Sequence, residues 1–166
     1  MSMFRLFVLA LLLGGCAAPY DYAEDVDFHS FTSVALAPDN DIGSLDGSRI
    51  GAATRAMLPA QGLRLTTPDQ ASLWLHYRLQ EETRLLTVMP RMLSPHPGSW
   101  DDDERVYGAV KEQKLVLWLT PPHSDRILWR SRHPRALPGD NIKGAERRRR
   151  IEQQVAELLQ NYPPRP

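Results

Sequence analysis

Cysteine is nearly absent from this chain: among 166 residues there is one, Cys16, so no internal disulfide can staple the fold. The apolar run from Leu6 to Leu13 is far short of the ~20 residues that a membrane-spanning helix takes. No serine stands in a G-x-S-x-G turn, and His29, His76, His96, His123 and His133 are scattered, with no nucleophile and base at a recognisable spacing. Net charge is also missing, since 20 Lys and Arg balance 20 Asp and Glu. Overall charge therefore names no partner. These gaps lead us to expect a protein that is not an enzyme and carries no cofactor.

What is present begins with the N-terminus. Arg5, a short apolar stretch and the small residues Gly14 and Gly15 have the order of a secretory signal peptide. A buried N-terminal helix is the plainer alternative, but paired glycines would weaken it at its centre. Leu13-Gly14-Gly15-Cys16 resembles the bacterial lipobox, in which the cysteine thiol takes a diacylglycerol and the leader is cut before it. We therefore expect residues 1–15 to be a lipoprotein signal peptide and Cys16 to be the lipidation site, with the membrane as a partner through the acylated cysteine. One acyl chain is a weak anchor and two or more a stable one, at ~0.8 kcal/mol per buried methylene. Ala17 in place of an aspartate favours the outer membrane, with the domain facing the periplasm. Nucleic acid is not an expected partner there.

Residues 16–27 lack any period and read as a tether, leaving residues 28–166 as a single domain. Phe31 to Ala37 reads as a first strand, closed by Pro38 and a turn-rich segment. A helix follows with Asp46 or Ser48 as N-cap and Ile50, Ala53, Met57 and Leu58 on one face; Pro59 falls in its final turn and Gly62 stops it. Ala71 to Gln80 alternates, with Leu73, Leu75, Tyr77 and Leu79 on one side and Trp74, His76, Arg78 and Gln80 on the other. Residues 85–105 read as the tip of a long hairpin whose arms extend the flanking strands. Residues 114–120 and 126–132 give two more strands joined by a short turn. Ile151, Val155, Leu158, Leu159 and Tyr162 form one stripe of a last helix, ended by Pro163-Pro164. The order β-α-β-β-β-α predicts an α+β two-layer sandwich: a small mixed, mainly antiparallel sheet with two helices on one face.

The elements just described, from the segment before the first strand to the last helix, are loosely similar to bacterial lipoproteins of the domain-of-unknown-function 4136 family. "YDYAEDVDFHSF" resembles the family's entry into its first strand, "MLPAQGLRL" its helix ending in glycine, and "ASLWLHYRL" its second strand. "KLVLWLTPPHSDRILWRS" resembles its closing hairpin and "IEQQVAELLQNYPP" its last helix. Where the family often has acids, this chain has Ser72 and Trp118. The resemblance implies fold, export and anchoring, and no activity.

Three features compete as sites. Asp101 to Glu104 are consecutive, whereas calcium loops space their acids at alternate positions, so we read a solvated loop and no metal. Arg147 and Arg148 flank the apolar stripe of the last helix and are candidates for an anionic ligand. Four arginines in a first helical turn would oppose the helix dipole, so either the helix starts earlier, near Asp140, or an anion compensates. The plainer reading of the run is a basic end with snorkelling stems. Trp74, His76 and Arg78, joined by Trp118 on the next strand, place two tryptophans among cations on the sheet face away from the helices. Either that face binds, or the hairpin tip buries it. An acidic front (residues 16–48) and a basic back (126–150) would order the two segments against each other or against a membrane. The expected function is a non-catalytic binding or structural module with a lipid, glycan or envelope-protein partner. The alternative is an accessory lipoprotein subunit docking onto an envelope transport or assembly complex.

Overall fold

Period-two alternation in the sequence becomes a mixed sheet. The computed structural model describes residues 19–88, 105–139 and 141–164, with the backbone alone at 87, 88 and 105–107. The expected signal peptide, Cys16, the expected hairpin tip with Asp101 to Glu104, and Asp140 lie outside the described residues. Strands β1 (Tyr20–Tyr22), β2 (Ser33–Leu36), β3 (Arg64–Leu65), β4 (Leu73–Val88), β5 (Arg105–Thr120) and β6 (Trp129–Arg132) lie in the order β1-β6-β5-β4-β2-β3. β2 runs parallel to β3 and β4, and the other pairs are antiparallel. Helices α1 (Leu45–Met57) and α2 (Gly144–Leu159) complete an α+β fold consistent with a two-layer sandwich.

The apolar alternation fixes which face is covered. Leu73, Leu75, Leu115, Leu117 and Leu119 form one buried cluster with Ile50 and Ala53 of α1 and Ile151, Val155, Leu158 and Leu159 of α2. Tyr162 follows the end of α2 and meets Trp129 and Phe28 edge-on, closing the core at that end. The expected last-helix stripe is thus buried throughout.

Several boundaries differ from the sequence reading. The expected tether is part of the sheet, because Tyr20–Tyr22 pairs with Trp129–Arg132, and Tyr22 and Val26 pack against the core. Its side chains are largely exposed, so it has no apolar period to betray it. β3 has two residues and escaped for the same reason. The arms of the long hairpin extend the flanking strands as expected, so that β4 and β5 have 16 residues each and pair down to Val88 and Arg105, with a register shift between Leu86 and Thr87. Gly62, at φ 81°, ends the 3-10 turn Leu58–Gln61 that prolongs α1.

The N-cap of α1 is Ser44, in place of Asp46 or Ser48. Ser44 Oγ accepts from Gly47 N–H at 3.0 Å, while Asp41 Oδ1 accepts from the N–H of Gly43 and Ser44. This capped turn folds the Asp41 carbonyl so tightly over the helix that a Cβ at Gly47 would lie 1.7 Å from its oxygen. Gly47→Ala is therefore expected to force the 41–47 turn open and lower stability by more than the ~1 kcal/mol that a lost cap costs, although alanine is the better helix former. A melt unchanged or raised by Gly47→Ala would show the turn to be pliable.

Candidate functional site

Beyond Leu36, paired with Leu75, no strand among the described residues covers the outer edge of β4. Asn40 takes over there: its Nδ2 donates to Leu75 O at 2.9 Å and its Oδ1 accepts from Tyr77 N–H at 2.8 Å. Satisfying that edge with one side chain leaves room beside it. A cleft of about 1130 Å³ opens between the 39–47 turn, the β4 edge and residues 142–147. Asp39, Asp41, Arg49, Arg78 and Lys143 bring both signs of charge to its lining, Gln113 adds a neutral amide, and Trp118 supplies an aromatic surface. On the sheet face away from the helices, a smaller cavity of about 250 Å³ is lined by His76, Thr120, Ser124 and Arg130, among others. Asp39, Arg78 and Trp118 line both cavities and so form their junction.

The register brings the predicted face together. His76 stands opposite Trp118, Trp74 opposite Thr120, Arg78 opposite Val116, and Arg130 opposite Trp118 on its other side. The His76 ring stacks on the Trp118 indole, with centroids 5.1 Å apart and planes 7° apart. The Arg78 guanidinium lies 5.6 Å from the same indole, in the range of a cation–π contact. His76 Nε2 is 3.0 Å from Thr120 Oγ1. Its Nδ1 is 3.1 Å from Asp39 Oδ1 but at an angle that makes no hydrogen bond. Burial pushes the His76 pKa below its ordinary value, against the opposing pull of Asp39. The ring is thus held neutral near neutral pH, and acts as a platform for the indole.

Trp74 belongs to a different part of this face. Its Nε1 donates to Pro68 O at 3.0 Å, and the His123 ring, on a residue with φ 57°, packs edge-on against it. The turn between β5 and β6 therefore covers this end of the face, and Trp74 serves packing; whether the hairpin tip covers the rest falls outside the described residues.

Arg147 is nine-tenths buried, and its guanidinium closes on Asp46. Nε donates to both carboxylate oxygens at 2.8 and 2.9 Å, Nη2 to Oδ2 at 2.5 Å, and Nη1 to Pro138 O and Gly139 O. The predicted ligand-binding arginine is thus a clamp between the first turns of the two helices. The Asp46 carboxyl is held below its usual range, chiefly by that hydrogen bond. Arg148, in contrast, is exposed. The dipole conflict is eased in another way: α2 starts at Gly144, three residues before the arginine run and four after Asp140, and Glu146 in its first turn pairs with Arg149 and Arg150. The acidic front and basic back also meet, through Asp46–Arg147 and through Asp25–Arg126 at 2.6 Å.

Asp39, Asn40, Asp41, Gln113 and Lys143 were absent from the sequence-based candidates. Only the density of polar residues in "PDNDIG" hints at the first three, and that signal says turn and not cleft. Among the described residues no three His, Cys, Asp or Glu gather as a metal site, and no helix is long and apolar enough to cross a membrane.

No curated protein matches the chain. Among solved structures, a PDZ domain protein from Parabacteroides distasonis is similar with a TM-score of 0.58 at 12% identity, over 91% of this chain. This chain spans only 36% of that protein's length, and the likeness is one of fold. The PelC dodecamer from Paraburkholderia phytofirmans aligns with a TM-score of 0.45 at 13% identity, over 86% of this chain and 93% of that one. The profile of one family, described as Domain of unknown function (DUF4136), matches residues 18–164, and the chain belongs to that family.

Proposed function

We propose that this chain is a lipoprotein anchored through Cys16 on the periplasmic side of the outer membrane, and that its domain is a non-catalytic module binding an envelope glycan or lipid headgroup. The observation that carries the binding half is the junction at Trp118, where an indole, a guanidinium and a carboxylate line two adjoining cavities. An aromatic face beside charges of both signs suits a ligand that is part ring or chain and part polar. Three titratable groups nearby are committed to the fold, since Asp46 holds Arg147, Asp41 caps a turn and His76 supports the indole. That commitment favours binding over proton transfer. The anchoring half rests on Leu13-Gly14-Gly15-Cys16 in the sequence.

Arg78 is the residue to change, because it is exposed and lies over Trp118. Arg78→Ala is expected to weaken binding of envelope lipid or glycan extracts several-fold while leaving the melt within about 0.5 kcal/mol, as for surface changes generally. Binding untouched by Arg78→Ala and by Trp118→Ala would overturn the cleft as the ligand site. Co-purification with a membrane complex, lost in the same variants, would favour the accessory-subunit alternative.

A further inference from the structure

Charges on the sheet face away from the helices fall into two kinds. Glu82 pairs with Lys114 at 2.9 Å and with Arg132 at 2.5 Å, so these three neutralise one another. Around the smaller cavity the pairing stops. Among the described residues Arg130 and Asp125 make no ion pair, Arg78 has only its contact with the Trp118 indole, and Asp39 reaches only the neutral His76 ring. All four are exposed and all four line that cavity. Arg78 stands opposite Val116 and Arg130 opposite Trp118, on the strands to either side of β5, so their stems rise on both flanks of that strand. Val116, wholly buried, lines the cavity between them. The acids come from outside the sheet: Asp39 follows β2 and Asp125 lies between β5 and β6. Both act on His76, Asp39 with Oδ1 at 3.1 Å from Nδ1 and Asp125 through its charge. The cavity thus has an acidic end at His76 and basic flanks along β5.

One atom at the acidic end is left over. His76 Nδ1 is buried without a hydrogen-bond partner, which is uncommon for a polar atom in a folded chain. In the tautomer that gives Nε2–H to Thr120 Oγ1, Nδ1 presents a lone pair beside the Asp39 carboxylate. Two acceptors then face each other with no donor between them, and an ammonium supplies that donor. The arginines are the reverse case: each offers a fork of N–H donors that suits phosphate oxygens. The volume of about 250 Å³ is the room of ~8 waters at ~30 Å³ each, enough for a small polar headgroup and too little for a sugar chain. Ile127, 45% exposed, lines the same cavity and offers an apolar contact to whatever carries the group.

Resting on the Trp118 junction as the ligand site proposed above, we infer that the smaller cavity recognises a phosphoethanolamine group, with the phosphate between Arg78 and Arg130 and the ammonium at Asp39 beside His76 Nδ1. Two arginines and two aspartates sum to zero, as do the two charges of the ligand. A plain anion would leave the carboxylates unmatched and a plain cation the guanidiniums. A neutral sugar would meet none of the four with a charge of its own. The zwitterion answers both ends at once, and its two methylenes lie against the apolar floor.

The test is a calorimetric titration of the full chain in dodecyl maltoside, a detergent with neither phosphate nor amine. Glycerophosphoethanolamine is expected to bind about tenfold more tightly than glycerophosphoglycerol, which lacks the amine, or ethanolamine, which lacks the phosphate, since each omission removes a charge-assisted hydrogen bond. Asp39→Ala is expected to abolish the preference for the amine and leave glycerophosphoglycerol no weaker, while Arg130→Ala weakens both phosphodiesters alike. Both residues are exposed, so the melts of the two variants should match that of the unaltered chain. Equal binding of the two phosphodiesters, no binding of either, or a preference that survives Asp39→Ala overturns the inference and leaves the junction as a site for other chemistry. Binding of envelope extracts that survives both Arg78→Ala and Trp118→Ala overturns the junction itself. Dihexanoyl phosphatidylethanolamine and an oligosaccharide bearing phosphoethanolamine separate the two sources of the group, the tighter binder naming the source.

Discussion

Leu158→Ala is expected to lower the unfolding free energy by about 2–5 kcal/mol, the range for a buried leucine whose site cannot collapse. Leu158 is fully buried in the cluster that joins α2 to the sheet, with Ile151, Val155 and Leu159 beside it. The same reasoning says that a chain ending before Ile151 loses cooperative unfolding, because the leucines of β5 would then face water. Urea melts of the two variants check this. A loss under about 1 kcal/mol for Leu158→Ala, outside the usual range, would mean that the helix is an appendage to a self-sufficient sheet.

Breaking the Asp46–Arg147 clamp is expected to cost nearly as much. The Asp46 side chain is 16% exposed and that of Arg147 10%, and removing one partner of such a pair costs about 3–5 kcal/mol when the other charge is stranded. Arg49 stays 2.9 Å from Asp46, so Arg147→Met belongs at the lower end of that range. The double variant Asp46→Asn, Arg147→Met should recover part of the loss, since no charge is then left uncompensated. Acid gives a second reading of the same bond. The folded Asp46 carboxyl is depressed below its ordinary 3.8, so the stability it lends is present above that pH and is lost as pH falls toward the folded value. Arg147→Met removes the largest cause of the depression, so its stability should fall less steeply below about pH 4. A parallel acid limb in both proteins would show that the clamp contributes little.

Legibility followed period. β4 alternates apolar and polar residues over its paired body, β5 has a leucine at every second position from 115 to 119, and α2 carries its stripe through Leu159, so class, face and helix placement were readable. Trp118 beside His76 followed from alternation once the register set Leu75 opposite Leu119. What failed was whatever depends on contacts distant in sequence. Arg147 looked like a ligand residue because it stands in a run of four arginines and flanks the apolar stripe; the carboxylate it bonds is 101 residues away. Asn40 completes the β4 edge through bonds to Leu75 and Tyr77, which no local pattern announces. Trp74 has the alternation of a free face but is covered by a turn whose path no periodicity encodes.

The anchor at Cys16 is the claim on which the functional account depends, and the N-terminal peptide of the protein taken from cell membranes tests it. Mass spectrometry is predicted to find a peptide starting at Cys16 and carrying acyl chains, and Cys16→Ser is predicted to leave the leader uncut by the lipoprotein route and to remove the mature protein from the membrane fraction. A peptide that contains unmodified Cys16, from protein that still fractionates with membranes, would contradict it.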